Sequence, residues 1–235
     1  MLTAFLAPIL IASDAGPLDG ALRATEAPKT LRAAFVVRLE SDNAHRTYAF
    51  DPRLRPRDRW QLLEETGESD ELDEVGAAWG AEVAPDSRLF PDDLRASLSQ
   101  TVQAEDFGSA WRVNFNHRPS LNDGELDVWA TERFRATAWL DPISDRFLRI
   151  DHELPRPTTG PGGVRLVRYS QSHFLESDPQ FGLSFVSGIQ VDIEARAAFR
   201  IVSRRYEARI DEVEFFFASA ADAEAFVASR GETHQ

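Results

Sequence analysis

The sequence predicts a mainly β (α+β) protein: one curved antiparallel sheet, or an incomplete β-barrel, with helices plugging or covering its concave face. Three observations lead there. Trp111, Val113 and Phe115 alternate with Arg112, Asn114 and Asn116, and in an extended chain successive side chains point to opposite faces. Arg146, Leu148, Ile150 and His152 interleave with Asp145, Phe147, Arg149 and Asp151 in a less regular form of the same rhythm. Such segments recur along most of the chain, whereas helical periodicity is confined to short stretches. That combination marks antiparallel strands with two unlike faces.

The elements follow in order. Pro17 to Ala27 reads as a short helix with Leu18, Ala21 and Leu22 on one face, ended by Pro28. From Leu31 to Ser41, Leu31, Ala33, Phe35, Val37 and Leu39 share one face of a strand, and Arg32, Arg38 and Glu40 the other. Ser41-Asp42-Asn43 is a turn, and His45 to Asp51 returns to make a hairpin. An arginine- and proline-rich loop then runs into a strand at Trp60 to Glu64. Glu68 to Glu82 changes period: Leu72, Val75 and Trp79 fall at i, i+3 and i+7, behind Ser69 as N-cap. A second short helix at Pro91 to Ser99, with Leu94 and Leu98 four apart, completes a helical insertion over 68–99. Strands are expected at 109–117, 126–140, 146–154, 164–175, 183–193, 195–204 and 205–217. A Pro-Gly loop spans Pro155 to Gly163, and a helix capped by Ser219 runs to Arg230.

Bulk properties narrow the class. With 235 residues, 43% hydrophobic, 16 Phe and 5 Trp, the chain can bury a sizeable core in one domain. A net charge of −13 argues against a general nucleic-acid binder and against electrostatic adsorption to anionic lipid. Lys29 is the one lysine beside many arginines, which high-GC codon usage explains. The apolar run MLTAFLAPILIA followed by Ser13-Asp14-Ala15 resembles a secretory leader over residues 1–15, although no basic residue precedes Arg23. A buried N-terminal helix is the other reading of that run. The expectation is therefore a leader at 1–15 and one domain over 16–235, exported and soluble in the periplasm. No other segment reaches membrane-spanning length. With no cysteine there is no disulfide, thiolate ligand or lipidated N-terminal cysteine.

Reaction motifs are missing. There is no G-x-S-x-G turn, no G-x-G-x-x-G and no His-x-x-x-His spacing, so no catalytic residue, metal site or cofactor is expected. In Asp151-His152-Glu153 a strand would turn both carboxylates to one face and the imidazole to the other, so the three cannot share an ion.

The aromatic residues carry the functional reading. Phe35, Tyr48, Phe50, Trp60, Trp111, Phe115, Trp129, Phe134, Trp139 and Phe147, with Phe181 and Phe185, are spread over nearly every strand. Turned to one concave side they would line an apolar cavity; otherwise they form the core between sheet and helices. Trp129 and Trp139 share a strand face with Arg133 and Arg135, which could meet an anionic headgroup at the rim.

The order of elements (helix, hairpin, strands, helical insertion, long antiparallel meander) resembles the LolA and LolB outer-membrane lipoprotein carriers and the lipid-sensing domain of the sigma-E regulator RseB. FDPRLRPRDRWQLLEETGESDELDE (Phe50 to Glu74) and ATAWLDPISDRFLRIDHEL (Ala136 to Leu154) resemble segments of uncharacterised proteobacterial exported proteins of that shape. The resemblance implies a half-barrel whose concave face takes acyl chains, and it transfers no individual functional residue. The expectation is a non-enzymatic, monomeric periplasmic binding protein for a lipid, a lipoprotein acyl chain or another apolar ligand. The alternative is a periplasmic scaffold or sensor that binds a protein partner, its hollow filled by the helix at Glu68 to Glu82.

Overall fold

A computed structural model describes residues 9–10, 17–90, 97–98, 102–116, 128–129, 132–197 and 200–231. Its strands are β1 (Ile9–Leu10), β2 (Leu31–Ser41), β3 (Ala44–Phe50), β4 (Trp60–Thr66), β5 (Gln103–Asp106), β6 (Trp111–Phe115), β7 (Arg135–Asp141), β8 (Arg146–Glu153), β9 (Thr158–Thr159), β10 (Arg165–Ser177), β11 (Ser184–Ala197) and β12 (Arg200–Phe217). The helices are α1 (Pro17–Ala24), α2 (Asp70–Gly80) and α3 (Ala220–Gly231). All strands join one antiparallel sheet in the order β1-β5-β6-β7-β8-β10-β11-β12-β2-β3-β4, with β9 extending the edge of β10. The sheet is curved and does not close into a barrel.

Directly paired residues point to the same side of a sheet, so the register can be followed from edge to edge. Ala104, Val113, Ala138, Ile150, His173, Ile189, Ala208, Leu39, Arg46 and Glu65 are paired in succession across ten strands. From Ala104 to Arg46 every member of this row except His173 is buried. This row defines an inner face. The helices cover it in two places: α1 packs on β7 and β8, and α2 on β2 and β3. Each cover seals its own apolar core. Leu18, Ala21 and Leu22 of α1 meet Ala136, Ala138, Leu140, Phe147 and Ile150. Leu72, Val75 and Trp79 of α2 meet Phe35, Val37, Leu39, Tyr48 and Phe50.

Local chemistry explains these helices. Ser69 caps α2 by accepting from the Leu72 N–H at 3.2 Å, and Asp70, Glu71 and Asp73 occupy the first turn, where the helix dipole favours anions. A Cβ at Gly76 would stand 2.3 Å from the Tyr48 hydroxyl, so glycine is what lets α2 approach β3. Arg46 is a cation inside the core, its side chain 4% exposed. Its Nε donates to Asp73 at 2.8 Å and its Nη1 to the carbonyls of His45, Thr66 and Gly67 at 2.9–3.0 Å. It thereby ties the start of α2 to the β3–β4 hairpin. The 3-10 turn Pro85–Leu89 closes the open end of β2, where Asp86 accepts from the Ala33 N–H at 3.2 Å and from both sides of the Arg32 guanidinium.

Several expectations are corrected. The segment 126–140 is a strand only from Arg135; Val128–Trp129 are helical and 132–133 turn. The three strands expected over 183–217 are two long ones, β11 and β12, with no break at 194 or 204. Leu148 does not share a face with Ile150: a bulge pairs Leu140 with Phe147 and Trp139 with Arg149, so Leu148 turns outward and is 44% exposed. Of the second helix at Pro91 to Ser99, Ser97–Leu98 are helical and buried, and the rest lies outside the described residues. The strands β5 and β9 had no alternating signal. Within the apolar run at 1–15, Ile9 and Leu10 pair with Ala104 and Gln103 of β5.

Replacing Arg46 by Ala should lower the unfolding free energy by about 2–4 kcal/mol, because a buried side chain is truncated and three backbone carbonyls lose a charged donor. Asp73 is 55% exposed, so Asp73→Ala should cost less than about 1 kcal/mol. Urea denaturation of the two variants checks the difference; equal losses would mean the ion pair, not the carbonyl contacts, is what matters.

Candidate functional site

The expected site residues divide among several environments. Phe35, Tyr48 and Phe50 are core side chains under α2, at 2–8% exposure. Trp60 stacks on Tyr48 (centroids 5.1 Å apart, planes 15° apart) and lies 6.2 Å from Trp79. Phe115 and Phe147 are buried under α1, with Trp111 packed against them. Phe185 is buried against Phe215, and Phe181 packs on Phe217 and on Phe226 of α3. These residues fill the fold.

Trp139 and Arg135 are on the other side of the sheet. Row pairing places Arg112, Trp139, Arg149 and Phe174 together on the outer face, and Arg135 opposite Glu153. The reading in which Trp139 lines a concave cavity, with Arg135 at its rim, is therefore corrected. Alternation sends them opposite to Ala136 and Ala138, which point inward. Trp129 packs against Gly160, and Arg133 lies over its ring at 4.7 Å while donating to the Trp129 carbonyl. That pair satisfies itself locally.

Between the two helical covers the inner face changes character. Phe134 stacks on Tyr169 at 4.1 Å with planes 17° apart. The Tyr169 hydroxyl donates to Gln171 Oε1, and Gln171 Nε2 lies 3.2 Å from His173 Nε2. The rings of His173 and His152 meet edge-on at 6.1 Å, and His152 meets Phe115 the same way at 6.4 Å. This ladder crosses the middle of the sheet from Phe115 of β6 to β10. Tyr169 pairs with Ile193 and Gln171 with Val191, so the aliphatic residues of β11 share the same floor. Farther along, Leu166, Ala195 and Val202 continue the inner face where the long hairpins outrun the helices, and Val202 is 39% exposed.

Phe115 and Phe134 of this floor were visible in the sequence; His152, Tyr169, Gln171 and His173 were not. Alternation alone assigned His152 opposite to Asp151 and Glu153, and the structure agrees: Asp151 accepts from Ser172 on the outer face at 2.6 Å. The polar residues of β10 carry no motif, and only pairing brings them beside Phe134.

The α2–β12 junction borders this floor. Arg204 donates to Glu74 at 3.0 Å. Burial pushes the Glu71 carboxyl up from its ordinary range, against the opposing pull of the Arg205 backbone N–H and Arg204. Burial likewise pushes the Tyr206 hydroxyl up. Among the described residues no group of three or more His, Asp and Glu is placed to hold a metal ion, and no helix is long and apolar enough to cross a membrane.

Comparison with protein-family models, with curated proteins and with solved structures finds no match.

A carboxyl whose folded pKa is raised contributes stability below its unfolded pKa, about 4.3 for Glu, and loses it as pH rises through the folded value. Glu71→Gln removes this dependence and keeps the acceptor for Arg205. The variant should melt higher than the parent at pH 7, with the gain shrinking toward pH 4. Thermal melts at both pH values check this; a gain that does not change with pH would show that Glu71 titrates normally.

Proposed function

We propose that the protein is a non-enzymatic carrier or sensor that holds a lipid or another apolar molecule on the inner face, over β10 and β11 between the two helical covers. The observation that carries this reading is the contrast along that face. Side chains under α1 and α2 are sealed, whereas Phe134, Tyr169, Ile193 and Tyr206 between and beyond them are half-buried. Stacked aromatic and aliphatic groups there offer surface for an acyl chain at about 0.8 kcal/mol per buried methylene. The polar ladder Tyr169–Gln171–His173 offers hydrogen bonds to a carbonyl or headgroup oxygen. The carrier-like order of elements supports the same reading, and so does the apolar run at 1–15, from which we infer export to the periplasm.

A second reading draws on one observation of its own. The part of the hollow under α2 is filled by Leu72, Val75 and Trp79, and Ile201 on the long hairpin is 63% exposed. A protein partner seated on that hairpin would make the chain a scaffold.

Native mass spectrometry of the exported protein, purified without detergent, separates the two. A reproducible excess mass that fragments to a lipid supports the carrier; a clean apo mass with no uptake of supplied lipid overturns it. Ile193→Glu should cut uptake at least about tenfold, since a carboxylate on an apolar floor costs more than about 1.4 kcal/mol. Trp139→Asp, on the far side of the sheet, should leave uptake unchanged. N-terminal sequencing of the same sample tests export: a start near residue 16 supports the leader, and a start at Met1 overturns it.

A further inference from the structure

A groove of about 770 Å³ runs along β6, β7 and β8, and the lipid reading does not use its outer-face residues. Its floor consists of two cross-strand rows. Arg112, Trp139 and Arg149 form one, and Asn114, Thr137 and Asp151 the other. The aromatic plate is held in a fixed orientation: the Trp139 indole N–H donates to Asp151 at 3.0 Å. That carboxylate also accepts from Arg149 Nε at 2.9 Å and Ser172 Oγ at 2.6 Å. With its side chain only 13% exposed, Asp151 is a saturated anchor for the ring. Thr137 donates to Asn114 at 3.2 Å. Phe107, half exposed, meets Trp139 at 6.0 Å beside the groove.

Val102, Phe115, Phe134, Ala136 and Pro155 also border the groove, but the two outer-face rows that form its floor contain no aliphatic side chain. This floor matches a ligand with a flat C–H face ringed by hydroxyls. The face of an aromatic ring carries partial negative charge and attracts the weakly positive C–H bonds of such a face. Planar guanidinium and amide groups at the ring's edge can form paired hydrogen bonds with vicinal hydroxyls. A pyranose has that shape. Arg135 supplies the remaining element of recognition. It lines the groove, is exposed, and among the described residues makes no hydrogen bond or ion pair, whereas Arg112 is paired with Glu105 and Arg149 with Asp151. A guanidinium farther along the same strand face, two outward positions from the aromatic plate, favours a carboxylate on a neighbouring sugar ring of an extended ligand.

We propose that the outer groove at Trp139 and Arg135 binds an acidic oligosaccharide, one whose sugar rings bear carboxylates. Phe134 borders both this groove and the inner floor, but Trp139 and Arg135 lie on the outer face, so either site can fail without the other. The test titrates the whole protein with an α-1,4-linked tetramer of galacturonate and, separately, with neutral maltotetraose, by calorimetry. Saturable binding of the acidic tetramer, at least about tenfold tighter than the neutral one, is expected, as for one charge-assisted pair. Arg135→Glu should remove that preference. The exposed position of Arg135 keeps this variant folded, and its melting temperature confirms it. Ile193→Glu, on the inner face, should leave the titration unchanged. No saturation at roughly millimolar ligand, equal affinity for the two tetramers, or a preference that survives Arg135→Glu would overturn the proposal. So would saturable binding of poly-glutamate by a protein that ignores the sugar.

Discussion

Side-chain direction is transmitted from strand to strand by pairing, and the rest of this structure depends on that. Once Val113 points inward, Ala138, Ile150, His173, Ile189, Ala208 and Leu39 must point inward too, because each is paired with the one before it. A slip of one residue in any strand would turn its apolar set to water. The sheet therefore has one face that must be covered and one that need not be. The places where pairing slips are also informative. Irregularities at Trp139/Leu140, Leu166/Arg168, Phe174/Leu175, Thr47/Tyr48 and Asp211/Glu214 add local twist and bend. The positive φ of Glu212 marks the last of them. An open sheet of this width needs such bends to curl around its own helices.

Two short helices cannot cover a face this broad. Helix α1 has eight residues and α2 eleven, a length of roughly 12–17 Å each at 1.5 Å per residue. Ten strands about 4.8 Å apart span on the order of 40 Å. The covers consequently sit at two places and leave the middle strands half-dressed. Those strands answer with Tyr169, Gln171 and His173, side chains that tolerate water and apolar neighbours alike. The candidate inner site is thus a consequence of coverage: it lies where helix, among the described residues, leaves the face half-covered.

Much of the architecture was legible in the chain. The alternation from Leu31 to Leu39 gave the buried face of β2 residue by residue, and Ser69 with Leu72, Val75 and Trp79 gave α2 together with its cap. What could not be read was the pairing. Nothing in the sequence marks Arg46 as core, yet hairpin geometry converges three carbonyls and Asp73 on it and makes it core. The aromatic residues are spread so evenly that sequence could not separate Phe50, which fills the fold, from Phe134, which borders the floor. Polar residues in β10 gave no signal because their neighbours across the sheet, Ile150, His152, Val191 and Ile193, come from distant positions in the chain.

Trp139 illustrates why an aromatic residue in a strand is ambiguous until its face is known. Its neighbours Ala138 and Leu140 are fully buried, and composition alone would send the largest apolar group in with them. The register of its strand places it otherwise. Arg135, Thr137, Trp139 and Asp141 share a parity, and a face bearing two charges and a hydroxyl is a solvent face. On such a face a tryptophan is stable only if its N–H is satisfied and its ring is packed by polar stems. Asp151 and Arg149 do both, at 3.0 Å and with a guanidinium 5.5 Å from the ring centre. An outward tryptophan whose carboxylate anchor is itself held by Ser172 from a third strand is more than a stray surface aromatic. The residues fixing it belong to the same β7 and β8 whose opposite faces form the α1 core. The two faces of these strands therefore share one rigid backbone while presenting unrelated chemistries, dry aliphatic packing within and an aromatic, arginine-rimmed groove without.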